Sequence, residues 1–107
     1  MVAADTIVSE IVRRVLGVVR PHKIILFGSR AREAHRPASD YDLLIIQPSA
    51  EPRYRRAVPF YRALAALSAE VDVVVYTPEE VADWSAVPEA FVTTAIRQGV
   101  VLYEGQG

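Results

Sequence analysis

Three of the chain's five aspartates, Asp40, Asp42 and Asp72, fall in or at the start of segments that otherwise read as buried strands. Aspartate is depleted in strands, and an unpaired carboxylate beside buried Val and Leu is costly. Side chains alternate along a strand, so Asp40 and Asp42 share one face, and Asp72 joins them if its strand lies beside theirs. Three carboxylates at close range repel, and at least one holds a proton unless a cation neutralises them. Hard divalent cations such as Mg²⁺ take oxygen ligands of this kind and leave positions open for water and substrate phosphates. Taken singly, Ser39-Asp40 also reads as a turn and Asp72 as the solvated start of a strand. Their joint placement is what points to a site. A second element, Gly28-Ser29, stands directly after one apolar run and before a helix-forming segment. Glycine lets backbone approach a phosphate closely, and free N–H groups at a helix start attract anions. Ser29 adds a hydroxyl, and Arg30 and Arg32 add charge nearby.

These residues need a scaffold, and the apolar pattern supplies one. From Thr6 to Val19 the residues Ile7, Val8, Ile11, Val12, Val15, Leu16 and Val19 paint one stripe of a helix, with Asp5 as cap, a Glu10–Arg14 pair on the wet side and Pro21 as its stop. KIILF at 23–27 is a short buried strand ending at Gly28, and residues 30–39 predict a short helix followed by a turn. Asp40 to Gln47 is a second strand. From about Tyr54 to Leu67 the spacing is helical, with Pro59 either starting the helix or kinking it. VDVVVY at 71–76 is a third strand. Thr77-Pro78-Glu79-Glu80 then forms a capping box with Pro at the first helical position, opening a helix to about Ser85. A last helix runs from Pro88 to Gln98 with Gly99 as its C-cap, and VVLYE closes the chain as a fourth strand. The expected fold class is α/β (α+β): a small mixed β-sheet of about four strands flanked by helices, as one domain over 1–107.

Composition bounds the function. The 107 residues are 51% hydrophobic and 23% charged, enough for one core and not for two. A formal net charge of -1 argues against a general electrostatic grip on nucleic acid, so no direct nucleic-acid binding is expected. The absence of cysteine excludes disulfides, thiolate metal sites and cysteine nucleophiles. No apolar stretch approaches the ~18 residues of a membrane span, and MVAADTIVSE lacks the basic start and apolar core of a signal peptide. The expected location is cytoplasmic, without membrane association.

Together, FGS at 27–29, a ten-residue gap, DYDL at 40–43 and a lone Asp72 in the next apolar strand resemble the nucleotidyltransferase superfamily that includes DNA polymerase beta. GSRARE…SDYDLLI looks most like the minimal nucleotidyltransferases of prokaryotes that are encoded beside a HEPN-domain protein, and the likeness runs from about residue 20 to 103. That resemblance implies the nucleotidyltransferase fold and two-metal nucleotidyl transfer. Asp40 and Asp42 would hold two Mg²⁺ ions, and Asp72 would ligate one of them and help deprotonate the attacking hydroxyl. Gly28, Ser29, Arg30 and Ser39 would bind the nucleotide, with ATP as donor. Larger members carry extra domains for the acceptor, and this chain leaves no room for one. The resemblance therefore implies an antitoxin that transfers AMP to a tyrosine of a partner HEPN toxin and forms a hetero-oligomer with it. Where the family commonly reads GSRARG, Glu33 replaces the last Gly.

Two rival readings follow from the small size and from Glu33. One is a binding module that neutralises its partner by masking it; the other is a transferase acting on a small molecule such as an aminoglycoside, with a dimer building the acceptor pocket. Arg53, Arg55, Arg56 and Arg62 are read as a solvated helix face, and Trp84 and Phe91 as core packing between the last helices. His22 and His35 lack metal-ligand spacing, and Tyr41 is expected to pack on the strand face opposite the aspartates.

Overall fold

The computed structural model describes residues 6–31 and 40–105. Apolar runs bounded by Gly and Pro become four strands: β1 (Lys23–Phe27), β2 (Tyr41–Ile46), β3 (Val71–Tyr76) and β4 (Val100–Glu104). They form one sheet in the order β3-β2-β1-β4. β1 pairs antiparallel with both β2 and β4, and β2 pairs parallel with β3, so the sheet is mixed as expected. A parallel pair needs a crossover, and α2 (Arg53–Arg56) with α3 (Val58–Leu64) supplies it.

Helices cover both faces. On one, Val8, Ile11 and Val15 of α1 (Thr6–Leu16) and Phe60 and Leu64 of α3 pack on Ile24, Leu26, Leu43, Ile45, Val73 and Val75. On the other, Val92 and Ala95 of α5 (Phe91–Gln98) pack on Ile25, Leu44, Ile46 and Tyr76, with Val81 of α4 (Pro78–Trp84) alongside. Strands buried on both faces read as continuous apolar runs rather than alternating ones, which is why LLII and VVV look alike in sequence. In β2 only Asp42 escapes full burial. Tyr41 is buried with the first cluster, on the face opposite Asp42, as its place between two aspartates predicts.

Boundaries differ from the sequence pattern where backbone chemistry intervenes. α1 ends at Leu16, three residues early, because Gly17 and Val18 form a closing turn before Pro21 is reached. The segment 54–67 is two helices: it breaks at Ala57, and Pro59 sits in the first turn of α3, where its missing N–H costs nothing. α5 starts at Phe91 rather than Pro88, after the extended Ala90. Gly99 does follow α5, but with φ −82° it is not a left-handed cap. Glycine is required there by proximity: a Cβ would stand 2.5 Å from the Ala95 carbonyl and 2.6 Å from Ile25 Cγ2, where the chain turns from α5 into β4 against β1.

The Glu10–Arg14 pair forms at 2.9 Å, joined by Arg13, and Arg14 also donates to the Ala63 carbonyl, tying α1 to α3. The capping box forms as well. Thr77 Oγ1 accepts from the Glu80 N–H, and Glu80 accepts from the Thr77 N–H. Among the described residues no helix is long and apolar enough to cross a membrane.

Candidate active site

The site lies at the end of the sheet where β1 stops and β2 and β3 begin. Register puts Phe27 opposite Asp42 and Asp42 opposite Asp72, so one row crosses three adjacent strands. Residues in direct register point to the same face, and neighbouring strands are about 4.8 Å apart. Asp42 and Asp72 therefore stand side by side on the face that carries α5. Asp40 is exposed and directly precedes β2.

The electrostatics of this row are unbalanced. Burial pushes the Asp42 carboxyl above its ordinary range, and the negative charges of Asp72 and then Asp40 push it the same way. Among the described residues no Lys or Arg forms an ion pair with any of the three. Nor, among these residues, are three or more acidic or histidine side chains drawn into one closed metal-holding cluster. The donors fit a hard divalent cation all the same: they are carboxylate oxygens, half-buried or exposed, with uncompensated charge that a cation would relieve.

Gly28 has φ +75°, a conformation L side chains rarely adopt, and a Cβ there would collide with the carboxylate of Asp42. Two independent constraints thus hold glycine at this position, and both bring bare backbone against the aspartate row. The chain continues in a 3-10 turn, Gly28–Ala31, which places the backbone of Ser29 and Arg30 beside the start of β2. The rest of the predicted short helix, with Arg32, Glu33, His35 and Ser39, lies outside the described residues.

Beside Gly28 opens a cleft of about 340 Å³ between Phe27 and the exposed face of α5. Here the sequence reading of Phe91 and Trp84 as core is corrected. Phe91 is 48% exposed, because α5 contacts the sheet through Val92 and Ala95 and turns Phe91 to the cleft, and Trp84, the last residue of α4, is 45% exposed. The Phe91 ring meets Phe27 edge-on at 5.3 Å and Tyr76 at 6.4 Å.

The arginine group is also corrected in part. Arg56 is not solvated: its side chain is 9% exposed, binds Glu80 through two nitrogens at 2.7 and 3.2 Å, and donates to the carbonyls of Glu51 and Val75. Arg53 lies over the Tyr76 ring at 4.4 Å and 3.5 Å from Glu80. Arg55 lies over exposed Tyr54 at 5.9 Å.

Comparison with known proteins adds a family to this geometry. No curated protein matches the chain. Among solved structures, a Sulfolobus solfataricus protein assigned as a nucleotidyltransferase is 20% identical, with 92% of this chain and 78% of that one covered and a TM-score of 0.65. A toxin–antitoxin complex crystallised with AMP-PNP contains a chain 19% identical, covering 92% and 74%, with a TM-score of 0.63. A mutant of the MntA–HpeT toxin–antitoxin is 17% identical over the same shares, with a TM-score of 0.62. These likenesses establish a shared fold. The model of the nucleotidyltransferase domain matches residues 6–96, which spans α1 through most of α5 and includes every aspartate of the row. The chain belongs to the nucleotidyltransferase domain family.

Proposed function

We propose that this protein is a minimal nucleotidyltransferase antitoxin, which uses Mg²⁺ and ATP to place AMP on a tyrosine hydroxyl of a partner HEPN toxin and so neutralises it. The observation that carries the reading is the aspartate row: Asp42 and Asp72 in register on one face, without an ion-pair partner among the described residues, with bare Gly28 backbone pressed against Asp42. The fold shared with toxin–antitoxin chains, one of them crystallised with AMP-PNP, supports the partner and donor classes.

In this reading Asp40, Asp42 and Asp72 hold two Mg²⁺ ions. Bound there, the ions would neutralise charge on the entering and leaving oxygens of an in-line displacement. The chain's own residues do the rest. The Gly28-Ser29 backbone, with the hydroxyls of Ser29 and Ser39 and the Arg30 guanidinium, receives the β- and γ-phosphates. Asp72, on the far side of Asp42 from Gly28, accepts the proton of the tyrosine hydroxyl. The tyrosine oxygen bonds to the α-phosphorus, the bond from that phosphorus to the bridging oxygen breaks, and pyrophosphate leaves towards Gly28. Most of the rate comes from positioning and charge neutralisation.

Incubation with ATP, Mg²⁺ and the product of the neighbouring gene should add the mass of one AMP to that partner, and Asp42→Asn should abolish both the addition and the neutralisation. No mass gain, with Asp42→Asn still neutralising the partner in cells, refutes the catalytic reading and leaves neutralisation by masking.

A further inference from the structure

The cleft beside Gly28 is not used by the chemistry above. Its walls are the rings of Phe27 and Phe91 with Ala95 between them, and its rim carries Glu89, Thr94 and Gln98. Phe91, Thr94, Ala95 and Gln98 are spaced i, i+3, i+4 and i+7 on α5, so they form one continuous face. We propose that this cleft receives the nucleobase of the donor nucleotide, stacked against Phe91, with its edge read by Glu89 and Gln98. This inference rests on the nucleotidyl-transfer reading.

Three observations select a base over other occupants. First, Gly28 both lines the cleft and abuts the Asp42 carboxylate, so the cleft opens within a nucleoside's length of an α-phosphate held at the aspartate row. Second, its polar groups are a carboxylate, a hydroxyl and a carboxamide, with no cation among the described lining residues. Such a set repels a phosphate and suits a neutral ring edge that both donates and accepts hydrogen bonds. Third, the cleft lies on the β1 side of Asp42 and Asp72 on the β3 side. An acceptor whose proton passes to Asp72 enters from the β3 side, which leaves the β1 side to the donor. The volume is at the lower end for small-ligand sites, about 300–1,000 Å³, and matches a base rather than a protein segment. Half-exposed aromatic rings are suitable platforms, because every base has a face that stacks on one.

The test compares two ligands that share the phosphates and differ in the base: ATP and inorganic triphosphate, each titrated with Mg²⁺ present. Phe91→Ala should weaken ATP binding about tenfold and leave triphosphate binding unchanged, and Phe91→Trp should restore ATP. Gln98→Ala, at an exposed position, should alter the ratio of ATP to GTP affinity severalfold without touching triphosphate. If Phe91→Ala loses both ligands through misfolding, the Gln98→Ala ratio decides by the same criterion. Equal ATP affinity in the wild type and both variants overturns the proposal while leaving nucleotidyl transfer standing. So does unchanged ATP affinity with a raised KM for the protein acceptor, which would assign the cleft to the acceptor. A wild type that binds neither ATP nor triphosphate overturns the transfer reading and this inference together.

Discussion

β3 has a carboxylate at each end, and among the described residues only one of the two is paired with a cation. At its C-terminal end Glu80, just beyond the strand in α4, is held at a pKa of about 2 by the Arg56 guanidinium, helped by the Thr77 N–H and by Arg53. At its N-terminal end Asp72 faces Asp42 in register, and the Asp42 carboxyl is pushed upward by burial and by its acidic neighbours. The fold evidently can bring arginines to a carboxylate, since it buries Arg56 to do so. Among the described residues the other end has no such partner, and perturbed carboxylates of this kind cluster where a site has work to do.

The sharpest way to break this contrast is substitution at the open end. Asp42→Asn or Asp72→Asn should lower AMP transfer by about a thousandfold or more, while circular dichroism and melting remain those of a folded protein. Loss of folding instead would make the row structural. Glu80→Gln acts in the opposite way. It leaves a nearly buried Arg56 without its carboxylate while glutamine can still complete the capping box, so unfolding free energy from urea titration should fall by about 2–3 kcal/mol through the lost ion pair.

The pH dependence of the two ends should differ in sign. Glu80's folded pKa is depressed, so its stabilisation is present above the unfolded value near 4.5 and is lost as pH falls towards about 2. Glu80→Gln should therefore flatten the stability profile within that window. Gly28→Ala combines a disfavoured φ with a clash against Asp42, and should cost about 1–3 kcal/mol in unfolding together with nucleotide affinity. The smallest effect is at Asp42. Its folded pKa is raised, so its ionisation favours the unfolded chain and lowers stability as pH rises through the folded value. In the absence of metal, Asp42→Asn should stabilise the protein at neutral pH by less than about 1 kcal/mol, with no gain once both states are protonated. Thermal melts in EDTA across pH read this directly.

Much of this was visible in the sequence. The strands announce themselves as β-branched runs between Gly and Pro, and the capping box and the alternation that sets Tyr41 and Asp42 on opposite faces of β2 depend on local rules that tertiary packing did not override. What the sequence hid depends on who packs against whom. Arg56 sits among three other arginines in a polar stretch, and only the crossover that lays α2 against β3 buries it. Phe91 reads as core because it is a large aromatic in a helical segment, and local sequence does not show that Val92 and Ala95, rather than Phe91, are the residues of α5 that meet the sheet. Gly99 looked like a helix cap because a long-range approach to β1 leaves no mark in local sequence.

Paramagnetic Mn²⁺, added with ATP and followed through the backbone amide resonances of the protein, tests the central claim most directly. Broadening first and strongest at Gly28, Asp42 and Asp72, and absent in Asp42→Asn, is the result expected of a row built to hold a cation against a phosphate cradle. Broadening scattered over the surface acids, unchanged by the substitution, would contradict it.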